Sequence, residues 1–260
     1  MTMSKFKEIY LYREMIASLV RKDLRGRYKG SVLGFFWTFL NPLMQLLVYS
    51  LVFSIIVRVD VEKYYLFLFV ALIPWIFFSS ALTSGSGVIL NQKDMVKKIY
   101  FPREVLPIAH ALTNFINMLF SFIVVFMVIL FSGVGINFVA LLYLPLIMLI
   151  EFTLVLGITF LTSSITVYMR DLEHIMTILN MLWMYLTPIL YSITMIPDVY
   201  LPYIQLNPMT AVIVAYRDIL YYAKVPHIQT LLSAVIMAVV VLVVGYMVFT
   251  KIQRYFAEEL

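Results

Sequence analysis

Six long apolar stretches decide what this chain can become. They run Val32–Val57, Tyr64–Leu82, Ile108–Phe131, Phe138–Val167, Ile175–Ile196 and Ile228–Thr250, each between 19 and 30 residues long. A helix needs about 20 apolar residues to cross about 30 Å of hydrocarbon. A transmembrane barrel would instead show alternating segments of about 10 residues. Hydrophobic residues make up 63% of the chain and charged ones 13%. Soluble domains carry about 45–50% and about 25%, and a fold of this size has too little interior to hide the excess. The sequence therefore predicts an all-α integral membrane protein with six transmembrane helices, residues 1–260 forming a single domain. The 30-residue fourth run must tilt or extend beyond the hydrocarbon.

Basic residues orient the spans, because cytoplasmic loops are enriched in Lys and Arg. Residues 1–31 hold eight of them, the loop after span two holds Lys93, Lys97, Lys98 and Arg103, and Arg170, Lys251 and Arg254 fall on the same side. The opposite side receives only Arg58, Lys63, Arg217 and Lys224. Both termini are expected in the cytoplasm, which an even number of spans satisfies. This clustering accounts for the net charge of +5 without nucleic acid. With no cysteine present, a disulfide scaffold is excluded. Residues 1–31 lack an apolar core of the kind a cleavable signal peptide needs.

Three segments outside the spans carry order of their own. In residues 1–31, Phe6, Ile9, Tyr10, Ile16, Leu19 and Val20 recur at three- or four-residue intervals before Gly26 and Gly30. That pattern predicts an amphipathic interface helix, either a lipid anchor or a docking element. In 91–107, Asn91 is expected to cap a short helix with Asp94 near its start. Met95, Val96, Ile99 and Tyr100 would form its apolar side, and Pro102 would stop it. Residues 197–227 hold Pro197, Pro202, Pro208 and Pro226 around an apolar stretch too short to cross. Re-entrant external half-helices between spans five and six fit that pattern, since non-helical backbone at membrane depth must be sheltered by protein. A surface helix is the alternative.

The chemistry carried by the spans is sparse. No phosphate-binding glycine loop, zinc motif or nucleophile elbow occurs, so transport is favoured over catalysis, with energy supplied from outside the chain. Glu151 lies midway through span four, where a charge in lipid is costly. Either it faces a cavity or, protonated, it bonds to a neighbouring helix. In span one, Trp37, Asn41, Gln45 and Tyr49 recur every fourth residue, spreading over about 120° of the helix surface. Such a polar and aromatic face suits a substrate conduit; helix packing with an aromatic belt is the alternative.

Several segments together resemble the polysaccharide-export permeases of the type-2 ABC exporter family. They are Arg21-Lys-Asp-Leu-Arg-Gly-Arg-Tyr-Lys-Gly-Ser-Val-Leu-Gly-Phe-Phe-Trp-Thr-Phe-Leu-Asn-Pro-Leu43 and Leu72-Ile-Pro-Trp-Ile-Phe-Phe-Ser79, then Lys98-Ile-Tyr-Phe-Pro-Arg-Glu104 within 91–107. Tyr168-Met-Arg-Asp171, Thr187-Pro-Ile-Leu-Tyr191, Asn207-Pro208 and Arg254-Tyr-Phe256 follow in family order. The resemblance implies a homodimer of six-span subunits joined to two copies of a cytoplasmic ABC ATPase. That ATPase would bind ATP and Mg, with no cofactor or metal on this chain. The substrate implied is an undecaprenyl- or other lipid-linked glycan (O antigen, capsule or teichoic-acid type), exported across a bacterial or archaeal cytoplasmic membrane. On this pattern Asn91–Phe101, with Met95, Ile99 and Tyr100, resembles the coupling helix. Arg25, Arg27, Leu33 and Gly34 fall at the cytoplasmic entrance, and Pro197, Asn207 and Pro208 at the external gate. A type-2 exporter of drugs or simple lipids is the nearest alternative. A membrane glycosyltransferase is a more distant one, resting only on Arg170, Asp171 and Glu173.

Overall fold

The computed structural model of the protein describes residues 2–26 and 29–260, without the side chains of residues 2–4, 6 and 257. Arg27 and the Phe6 side chain therefore lie outside the described residues. No strand occurs among the described residues, and five helical segments are long and apolar enough to cross a membrane. They are Gly34–Ile56, Tyr64–Leu82, Val105–Ser132, Phe138–Tyr168 and Ile228–Tyr255.

The chain begins with α1 (Thr2–Leu11) and α2 (Arg13–Gly26), separated by a break at Tyr12 rather than continuous. Only Leu19 and Val20 of α2 are buried, and the helix lies along the later helix α6 (Val105–Ser132). After the turn at Gly30, a 3-10 turn at Gly34–Phe36 leads into α3 (Trp37–Leu51). Gly34 has φ +50, a left-handed conformation that only glycine adopts freely. Pro42 sits inside α3 and has no N–H to offer the carbonyl of Thr38. The Ser121 hydroxyl of the third span approaches that carbonyl at 3.5 Å. The proline thus opens a polar contact between two spans. A π-turn at Val52–Ile56 ends the first crossing.

α4 (Tyr64–Leu82) is apolar on every side, as a helix at the centre of a bundle should be. Residues 66–72 are completely buried. Around it stand α3, α6 (Val105–Ser132) and α8 (Leu144–Tyr168), with the short α5 (Lys93–Lys98) before α6 and α7 (Phe138–Leu141) before α8. Pro145, at the start of α8, marks the kink that divides the long fourth run. α8 packs most intimately against α12 (Ile228–Ile252). Small residues make that approach possible: a Cβ on Gly157 would lie 2.6 Å from the Cα of Leu242.

The fifth apolar run departs from expectation. α9 (Leu172–Leu186) has 15 residues, about 22 Å at 1.5 Å per residue and short of a full crossing. The cause is Pro188, which drives Thr187 into extended backbone (φ −103, ψ 136). Beyond it come α10 (Leu201–Gln205) and α11 (Pro208–Leu220). α11 is built into the bundle, with ten of its 13 residues buried among α4, α8 and α12.

A second, smaller core forms at the end that holds both termini. Leu19, Val96, Phe101, Phe160 and Phe249 meet Phe256 of α13 (Phe256–Glu259) there. Glu104, fully buried, accepts a 2.9 Å bond from Gln253 Nε2 and lies 3.6 Å from Lys5 Nζ. The Arg103 guanidinium donates to the Gln253 carbonyl. α1, the loop before α6 and the C-terminus are thereby tied together.

Candidate functional site

A polar cavity of about 230 Å³ opens between α3 and α6. The α3 side supplies Trp37, Thr38, Asn41 and Gln45; the α6 side supplies Asn114, Asn117 and Ser121. Ile73, Ile76 and Phe77 of α4 back it. Helical geometry explains the alignment: residues 110, 114, 117 and 121 fall at steps of four, three and four, which is one face of α6. Asn114 donates to the His110 carbonyl at 3.0 Å and meets the His110 ring at the same distance. Asn117 differs, because both polar atoms of its carboxamide are buried without a hydrogen-bond partner. At the rim, Trp37 Nε1 donates to Ser31 Oγ at 3.1 Å.

The structure brings three of the expected conduit residues, Trp37, Asn41 and Gln45, onto this cavity and leaves two elsewhere. Tyr49 has turned toward α9, where its hydroxyl lies 3.9 Å from the sulfur of Met184. The drift of a 3.6-residue helix sampled every four residues accounts for this. Glu151 is fully buried, accepts a 2.7 Å hydrogen bond from Tyr216 and reaches no conduit surface in the chain. Its other oxygen has no partner. The α6 amides were absent from the sequence-based site; their spacing was the signal that could have found them.

At the end holding the termini, Asn91 does not cap α5. Residues 90–92 form a 3-10 turn, and α5 begins at Lys93 after Gln92 without a side-chain cap. The expected apolar side is also divided. Val96 is buried and Met95 partly so, whereas Ile99 leaves the helix in extended backbone, and it and Tyr100 face outward at 56% and 89% exposure. Arg25 and Leu33 are exposed near the turn at Gly34.

At the opposite end, Asn207 closes the start of α11. Its Oδ1 accepts from Met209 N at 3.0 Å and from Trp183 Nε1 at 2.9 Å, while its Nδ2 donates to Thr187 Oγ1 at 2.8 Å. Pro208 occupies the first turn, where a missing N–H costs nothing. Pro197 is exposed in the loop before α10. Arg217, counted in the sequence among the charges of the external side, is instead buried. Its guanidinium donates to the carbonyls of Pro188, Ile189 (2.6 Å) and Tyr191 (3.3 Å), and lies 3.5 Å above the Phe67 ring. Those carbonyls belong to the non-helical segment that follows the end of α9.

Comparison with known proteins agrees with this architecture. Residues 14–221 match the model of the family described as ABC-2 type transporter. The chain is 35% identical to the O-antigen export system permease protein RfbA of Myxococcus xanthus, over 98% of both chains. It is 30% identical to a protein of the same name from Klebsiella pneumoniae, again over 98% of both. The match spans the α3–α6 cavity, α5 and the α11 clamp together, and the chain belongs to the ABC-2 type transporter family.

Proposed function

We propose that this chain is the membrane subunit of an ATP-driven exporter that moves lipid-linked polysaccharide of the O-antigen kind outward across the cytoplasmic membrane. The observation that carries the reading is the full-length similarity to O-antigen export permeases, 98% of each chain being covered. Two copies of the chain would act with two copies of a cytoplasmic ABC ATPase, which would bind the ATP and Mg. On this reading the chain forms one six-span domain, in which α9 with residues 187–196 makes a short fifth crossing and both termini face the cytoplasm. The gathering of α1, the loop before α6 and the C-terminus at one end supports that orientation.

The parts then have roles that their chemistry suits. Exposed Ile99 and Tyr100, beside the anchored Val96, offer the ATPase an apolar grip. Exposed basic residues of α2 such as Arg25 would attract phosphate groups of the lipid carrier near the entrance at Leu33 and Gly34, each contributing about 1 kcal/mol at the membrane surface. The face bearing Trp37, Asn41 and Gln45 would line the polymer path. Residues 197–222 would close its outer mouth, with Asn207 and Pro208 setting the turn before α11.

The test is a strain lacking this chain. Lipid-linked glycan should accumulate inside the cell and surface glycan should disappear, both restored by the intact gene. Unchanged surface glycan would overturn the reading; unchanged glycan with new sensitivity to small hydrophobic compounds would favour a drug or lipid exporter.

A further inference from the structure

The α3–α6 cavity is shaped for one ring rather than for a polymer. Its volume of about 230 Å³ falls below the range of about 300–1,000 Å³ typical of pockets for drug-sized ligands. The helix α4 backs it, so it is a side pocket and not a through-going channel. Its lining carries no charged side chain. Four carboxamides and two hydroxyls supply donors and acceptors in nearly equal measure, which matches the hydroxyl groups of a neutral sugar. A buried amide without a partner is disfavoured unless a ligand or water completes it, and Asn117 is such an amide. The Trp37 ring at the rim adds an apolar face of the kind that C–H groups of a sugar pack against. His110, bonded to Asn114, lines a second cavity of about 370 Å³ that opens beside Lys22 and Gly26, at the end holding both termini.

We propose that this cavity, inside a single subunit between the first and third spans, binds one neutral sugar ring of the lipid-linked substrate, with Asn117 and Gln45 as its principal hydrogen-bonding residues. The inference rests on the export reading above and deepens it, adding a loading pocket that opens off the polymer path at the face of Trp37, Asn41 and Gln45.

The chain contains no cysteine, so a single reporter can be placed in it. Ser121→Cys, which leaves Asn117 and Gln45 in place, is treated in the full-length chain in phospholipid vesicles with a small water-soluble thiol reagent. Three samples are compared: no addition, polyprenyl diphosphate, and polyprenyl diphosphate bearing one N-acetylhexosamine. Labelling is expected in the first two and protection in the third. Adding Gln45→Leu should raise the concentration that gives half-protection about two- to tenfold, the loss of one neutral hydrogen bond. Asn41→Cys, on the facing helix, serves if Ser121→Cys does not fold. Equal protection by the sugar-free lipid would overturn the sugar assignment. Absence of labelling in every sample would place the amides in a sealed contact, such as one with a second copy. Neither result touches the export reading, which stands or falls on surface glycan in the deletion strain.

Discussion

The Tyr216 hydroxyl donates a 2.7 Å hydrogen bond to a Glu151 oxygen, joining α11 to the middle of α8 where both side chains are fully buried. The bond fastens the short outer helix to a long span, and the rings of Tyr216 and Phe122 stack beside it at 5.6 Å. Tyr216→Phe should cost about 0.6–2 kcal/mol, the range measured for hydrogen bonds between membrane helices. Glu151→Gln keeps an acceptor for the hydroxyl and should cost less than Glu151→Leu. Thermal unfolding in detergent, run as a double-mutant cycle, checks this; strictly additive losses would remove the coupling.

The crossing of α8 and α12 predicts intolerance to any side chain. A Cβ on Gly245 would strike the carbonyl oxygen of Gly157, and one on Gly157 would press on the backbone at Leu242. Backbone cannot swing aside as a flexible side chain can, so Gly245→Val should exceed the usual overpacking cost of about 1–3 kcal/mol. Gly135, with open space around it, is the control. Folded yield after solubilisation should fall for Gly245→Val and stay level for Gly135→Ala.

The Arg217 clamp predicts a residue-specific requirement for a guanidinium. Lysine offers a single ammonium and cannot reach the carbonyls of Pro188, Ile189 and Tyr191 together. Arg217→Lys should lose about 1.5–3 kcal/mol, as expected for hydrogen bonds to a charged group. It should also expose residues 187–206 to added protease faster than in the parent protein. Equal cleavage rates would show that the break after α9 holds itself.

The Lys5–Glu104 pair predicts a loss of α1 docking at high pH. Partial burial acts to lower the Lys5 amine, but Glu104 and then Glu8 outweigh it, and the net direction is upward from 10.5. A group whose folded value is raised contributes its stability in full below the unfolded value and loses it as pH rises through the folded one. A spin label at the exposed Tyr10 (Tyr10→Cys) should therefore gain mobility only above about pH 10.5, the ordinary lysine range. With Lys5→Met added, it should be mobile at every pH. Mobility independent of both pH and residue 5 would place the attachment elsewhere.

Composition and apolar run length alone determined that this chain belongs in a membrane as a helical bundle, because no other fold hides so much apolar surface. The second span, Tyr64–Leu82, could be read to the residue, since polar residues bound it on both sides. The cap at Asn207-Pro208 follows from those two residues alone, because capping depends on chemistry within one turn. The length of α9 was half visible: Pro188 was plain in the sequence, but apolar residues on both sides of it hid the break. Three features were settled by tertiary structure alone. Arg217 counts as a loop charge until α9 ends and the non-helical segment after it presents its carbonyls. Glu151 could face a cavity or a neighbour, and the docking of α11 supplies Tyr216. Asn114 and Asn117 are ordinary span residues until α3 lies against α6 and sets Asn41 and Gln45 opposite them. Local rules act within one helix, whereas a site between helices depends on which faces meet, and that is decided by packing across the whole bundle.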